Sequence, residues 1–216
     1  MTRLDQESDK SAGQEQEQSD DLASMISMAM NKPEIRALAL YGDINEERCS
    51  EVVYGLLALD ASSRIMMATE EDDEPVEVIE PIDFYISSYG GQATEMFAVY
   101  DIMRDIGART PICTYGLGKV MSAGVLLLAA GTKGYRKIGR SCRVMIHGVV
   151  AGQHGHIADI ENEFSEVKST QKMYIKALSE ETDMTEKYIK KLMDKKTNVY
   201  IDAQEAVNLG IADIIV

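Results

Sequence analysis

Residues 118–131 read GKVMSAGVLLLAAG, with one hydroxyl, Ser122, set between small residues and an aliphatic run suited to a buried helix. Two readings of that hydroxyl compete. It is a small residue that packs well at a helix start, or it is a nucleophile held where free backbone N–H groups and the positive end of a helix dipole assist it. The flanking segments bear on the choice. Upstream, RTPICTYG (109–116) has strand composition and leads to the serine segment; downstream, GYRKI (134–138) and CRVMIHG (142–148) read as two short strands separated by GRS.

Further upstream the alternation continues. ALALYG (37–42) reads as a buried strand closed by Gly42, followed by a helix through NEERCSEVVYGLLALD (45–60) and a strand in SRIMMAT (63–69). EEDDEPVEVIEP (70–81) carries seven acids and reads as a solvated loop. IDFYISS (82–88) is a strand running to Gly90-Gly91, and Met96, Val99, Tyr100 and Met103 give Gln92–Ile106 a helical spacing. Strands alternating with helices predict an α/β fold.

Downstream of the strand ending at His147 the pattern changes. Ile157, Ile160, Phe164, Val167, Gln171, Tyr174 and Leu178 step by three and four, which predicts one long helix with a narrow apolar seam. Such a seam serves either to cover a core or to meet a helix of a neighbouring subunit, and periodicity leaves both open. DMTEKYIKKLM (183–193) reads as a shorter helix with Asp183 as N-cap and Glu186 as its reciprocal partner; Asp202 and Glu205 repeat that spacing. Gly210 is placed to end the last helix, and IADIIV (211–216) reads as a closing strand.

The 216 residues suit a single folded domain over 35–216, preceded by an acidic, disordered tail over 1–34 with a short apolar segment, MISMAM (25–30). A net charge of −14 argues against nucleic acid and anionic membrane surfaces as partners, and no apolar run approaches a membrane span. Cys49, Cys113 and Cys142, without CxxC spacing, suit reduced thiols and a cytoplasmic location. No metal or cofactor is expected: the Glu70–Glu74 run lacks ligand spacing, and His154 and His156 form an HxH with no evident third ligand.

His147 differs from the other histidines because it ends an apolar strand, where an imidazole emerges at a sheet edge. With Ser122 as nucleophile, His147 is placed to take its proton. The N–H groups of Ala123 and Gly90 are then candidates to hold an oxyanion, since Gly90 lets the backbone approach a substrate carbonyl.

FYISSYGG, GKVMSAGVLLLAAGTKG, RVMIHG and DAQEAVNLGIAD, in this order, resemble the proteolytic subunit of the Clp protease (ClpP), within the wider ClpP/crotonase-like superfamily. The resemblance runs from about Ile35 to Val216. It implies a spiral of β-β-α units with a long projecting handle helix, about His156 to Glu180, in a handle region of about 148–181. It further implies a serine endopeptidase acting on unfolded polypeptides inside two stacked heptameric rings, fed by a hexameric AAA+ Clp unfoldase. Carried over by position, Ser122 is the nucleophile, His147 the general base, and Gly90 and Ala123 the oxyanion donors.

The third triad position, an Asp in the family, is Asn198 here. A carboxamide oxygen can fix the imidazole tautomer but brings no negative charge. Asp194, one turn upstream, and Asp202, downstream, are alternative third members. Tyr89 stands where the family has Pro, Ala123 where it has Met, and Lys196-Thr197 where many relatives have an acid–Arg pair. These departures support a second expectation, a weakly active or inactive scaffold subunit in a barrel mixed with other ClpP-type subunits. A third is a crotonase-like acyl-thioester enzyme.

Overall fold

The serine segment lies at the centre of a largely parallel sheet. The computed structural model describes residues 35–67, 76–152, 154–195 and 197–216; the expected tail 1–34 and the Glu70–Glu74 run lie outside the described residues. β4 (Ile82–Gly91) and β5 (Ile112–Met121) are the two longest strands, paired in parallel from Ile82↔Ile112 onward. β1 (Ala37–Ile44) adds in parallel outside β4; β6 (Lys137–Ile138) and β9 (Ile214–Ile215) continue beyond one end of β5. β7 (Arg143–Ile146) pairs in parallel with the other end of β5 and in antiparallel with β8 (Val199–Ile201).

The strands read as they fold. In β4, Ile82, Phe84 and Ile86 are buried on one face, while Asp83 and Tyr85 stand on the other, the period-2 pattern of a sheet with one covered side. α1 (Glu46–Ala61) starts at Asn45, whose side chain accepts the Arg48 N–H. α2 (Ala93–Gly107) buries Met96, Val99, Tyr100, Met103 and Ile106, the helical face the spacing predicts. α3 (Ala123–Ala129) is buried all round, and packs against β4, β5 and α2. Burial of each of Leu126, Leu127 and Leu128, all fully enclosed, contributes roughly 1.5–3 kcal/mol. The expected α/β class is borne out.

Several expectations are corrected. The acidic stretch 70–81 is not loop throughout: Val76–Ile79 forms β3, a hairpin partner of β2 (Arg64–Met67), because V-E-V-I alternates as a strand does. β5 begins at Ile112 and runs on to Met121, not to Gly116, and only Ile214–Ile215 of the closing segment is strand. α5 (Glu186–Met193) is capped by the Thr185 side chain on Tyr188 N–H, not by Asp183. Asp202 caps α6 (Ala203–Asn208) as expected, accepting the Glu205 N–H at 2.8 Å.

The seam of α4 (Ile157–Glu181) divides into an exposed half and a buried half. Ile157 is 77% exposed and Phe164 59%, so the first half covers no core of its own chain; from Tyr174 onward the helix is embedded against α3 and α5. Its embedded end is tied down. Glu181 accepts the Tyr100 O–H at 2.9 Å and meets Arg104 at 3.3 Å.

A buried guanidinium joins four segments there. Arg136 donates to the carbonyls of Ala129, Glu181 and Gly210 and pairs in two-pronged fashion with Asp213. Burial alone would raise the Asp213 carboxyl, but hydrogen bonds and charge from Arg136 outweigh it and hold the group below the usual carboxylate range. A depressed carboxyl contributes stability above its unfolded value near 3.9, lost as pH falls through the lower folded value. Asp213→Asn, which strands a buried charge, is expected to cost ~3–5 kcal/mol at pH 7. Denaturant unfolding of both proteins should show the gap narrowing below about pH 4; a gap constant down to pH 2 refutes the ion-pair account.

Candidate active site

Three parallel strands bring their C-terminal ends to one edge. Ser88 of β4 pairs with Val120 of β5, and Met121 of β5 pairs with Met145 of β7. Gly90, Ser122 and His147 each follow within two residues, so the ladder itself gathers the three expected residues. They line one cavity of about 630 Å³, with Ala123, Tyr89 and Tyr174 among its walls.

Ser122 turns the chain from β5 into α3. It has φ +54° and ψ −122°, and among the described residues it is the one non-glycine residue with positive φ. Such a conformation costs about 1–3 kcal/mol and persists only where surroundings hold it. Three hydrogen bonds do so. Ser122 N–H donates to Met145 C=O at 2.7 Å, and Ser122 C=O accepts from Val125 N–H at 3.0 Å and from Tyr174 O–H at 3.1 Å. The first of these ties the serine to the strand that carries His147.

Gly90 sits hard against this turn at φ +100°. A Cβ added there would lie 2.6 Å from Ser122 Cβ, 2.9 Å from Met121 C=O and 3.1 Å from Ser122 Oγ. Its N–H, the expected oxyanion donor, donates to Ser88 Oγ at 2.9 Å, closing a local turn of the kind serine favours. Aiming that N–H into the cavity requires the Ser88 bond to open. Gly90→Ala is expected to lower turnover by on the order of 10²–10³, the size of losing one oxyanion donor, while pushing the serine aside. Near wild-type kcat/KM in that variant, with the fold intact by thermal melt, refutes the close approach.

His147 lies between two cavities. On its other side a space of about 390 Å³ is lined by Gln171, Asp194, Thr197 and Asn198. The antiparallel register of β7 and β8 runs Val144↔Ile201, Met145↔Tyr200, Ile146↔Val199; His147 follows and Asn198 precedes this last paired rung, and both line the smaller cavity. Asp194 reaches the same cavity from the C-terminal cap of α5. Among the described residues Ser122 Oγ and the His147 imidazole have no hydrogen-bond partner, and no buried side-chain polar atom lacks one, so both open onto the cavities.

Tyr174 and Gln171 are the residues that the seam pattern hid. Gln171 Oε1 accepts the Val149 N–H at 3.1 Å, two residues past His147. Burial pushes the Tyr174 phenol up, so it stays a donor over the ordinary pH range. A Gln and a Tyr inside an otherwise apolar stripe were the available signal.

The family model of the Clp protease matches residues 16–216. The chain belongs to the Clp protease family. A relative in Treponema pallidum (strain Nichols), the ATP-dependent Clp protease proteolytic subunit 2, is 30% identical over 178 residues, covering 82% of this chain and 80% of the relative. This Clp protease chain is thus a proteolytic-subunit type, a peptidase by family, and the sheet edge bearing Ser122 and His147 lies within the matched span.

Proposed function

We propose that this Clp protease chain is a serine endopeptidase subunit of a self-compartmentalised, ATP-dependent protease that cleaves unfolded polypeptides. The observation carrying this reading is that Ser122 and His147, on hydrogen-bonded neighbouring strands, open onto one cavity. Ser122 Oγ attacks the scissile carbonyl as His147 takes its proton; the C–N bond then breaks as the imidazolium returns that proton to the leaving amine. Water, activated by the same imidazole, releases the acyl group from Ser122. The Asn198 carboxamide oxygen, on the same cavity as His147, orients the imidazole once the two side chains close on each other, and the Ala123 N–H, joined by Gly90 N–H once freed from Ser88, holds the oxyanion. Ile44, Ala93, Met96, Val149 and Val150 on the cavity wall suit an apolar substrate side chain.

The exposed apolar residues Ile157, Ile160 and Phe164 on the first half of α4 suit contact between subunits, as two stacked heptamers would make, with a hexameric unfoldase delivering substrate. A second reading, a scaffold subunit of low activity in a mixed barrel, draws on the uncharged Asn198 and the engaged Gly90 N–H. Incubation of the native assembly with a serine-directed fluorophosphonate, followed by mass mapping, tests the first reading. Label on Ser122 with parallel loss of fluorogenic-peptide hydrolysis supports it. An unlabelled protein favours the scaffold, and a native mass of a monomer or dimer removes the compartment.

A further inference from the structure

Helix α4 grips both halves of the site through one face. Tyr174 O–H donates to Ser122 C=O, and Gln171, one turn earlier, accepts the Val149 N–H just beyond His147. Residues three apart on a helix are neighbours on its surface. The helix is a firm base for them, because Glu181 at its end is bonded to Tyr100 and its carbonyl to Arg136 at 2.7 Å.

The consequence follows from the peptide unit. It is planar and trans, so Ser122 C=O and Ala123 N–H are opposite ends of one rigid plate. Val125 N–H and Tyr174 O–H hold the carbonyl end, and that fixes the direction of the Ala123 N–H on the other side. With the Tyr174 bond gone, Val125 N–H alone holds the carbonyl end, and the plate is freer to turn about the Cα–C bond of Ser122, carrying the Ala123 N–H away with it. Tyr174 itself is 6% exposed, its hydroxyl spent on the backbone rather than offered to a substrate.

We propose that Tyr174 and Gln171 are positioning residues: Tyr174 aims the Ala123 N–H at the oxyanion, and Gln171 holds the segment following His147. The inference rests on the peptidase reading above. Tyr174→Phe keeps the ring and deletes only the hydroxyl; Gln171→Met keeps length and deletes the acceptor.

Three readouts on the full-length assembly test it: kcat and KM with a fluorogenic peptide, the rate of Ser122 phosphonylation, and the affinity of a peptide boronate whose hydroxyl occupies the oxyanion position. Tyr174→Phe is expected to lower kcat about tenfold, the size of one lost hydrogen bond, with KM within about twofold. Boronate affinity should fall by the same factor. Gln171→Met should slow phosphonylation to a similar degree.

Wild-type kcat, phosphonylation rate and boronate affinity in both variants overturn the inference while leaving the peptidase reading standing. A fall in kcat that tracks a lower thermal midpoint, with boronate affinity unchanged, makes the pair structural and also overturns it. Wild-type protein that takes no label at Ser122 removes the peptidase reading, and this inference with it.

Discussion

Ser122→Ala is expected to lower peptide hydrolysis by on the order of 10⁴- to 10⁶-fold, to the residue left by substrate binding and the oxyanion donors. The substitution is clean. Alanine keeps the Cβ that packs against Gly90 and suffers the same positive φ, so the turn is no more strained than before. The backbone hydrogen bonds to Met145, Val125 and Tyr174 use main-chain atoms and survive. Thermal midpoint and native mass should therefore match wild type while fluorogenic-peptide turnover disappears. Turnover that persists at more than a few per cent means another group is the nucleophile.

Asn198→Asp is expected to do the reverse. Asn198 lines the same cavity as His147, and the exchange alters charge with little change of shape. A carboxylate stabilises the imidazolium that forms as Ser122 loses its proton. In a trypsin-like site the opposite exchange costs about 10⁴, which sets a ceiling; a rise of about 10²-fold in kcat lies within the usual worth of general acid–base catalysis. Asp194→Ala should change kcat by less than about twofold, because Asp194 sits at the C-cap of α5, whereas Asn198 leads directly into β8 beside the strand that carries His147. A large loss from Asp194→Ala, or no gain from Asn198→Asp, assigns the third member wrongly.

What could be read in the sequence was what burial writes there. Buried parallel strands are apolar runs, so the strands ending near Gly90 and His147 stood out, the strand before Ser122 was legible only as far as Gly116, and the 3.6-residue period marked α2 and α4. The stretch V-E-V-I of β3 was masked by the acids around it. Asp183 lost the capping role to Thr185, which lies immediately before α5, and neither spacing nor residue type separates such neighbours. The orientation of backbone groups was invisible. Nothing in SSYGG says that the Gly90 N–H bonds Ser88, and nothing in VMSAG announces positive φ at a serine. Periodicity assigned Tyr174 and Gln171 to a stripe, since it reports which face a residue shares and not which atom it meets.

β8 spans only Val199–Ile201 and, among the described residues, pairs with β7 alone. A short border strand opens more readily than the strands inside a sheet. In the proposed triad Asn198 is thus hung just before a short border strand, while the backbone of Ser122 is held by three hydrogen bonds. Mild heat or weak denaturant would silence such a site by fraying one margin, leaving a particle that looks whole and does no work.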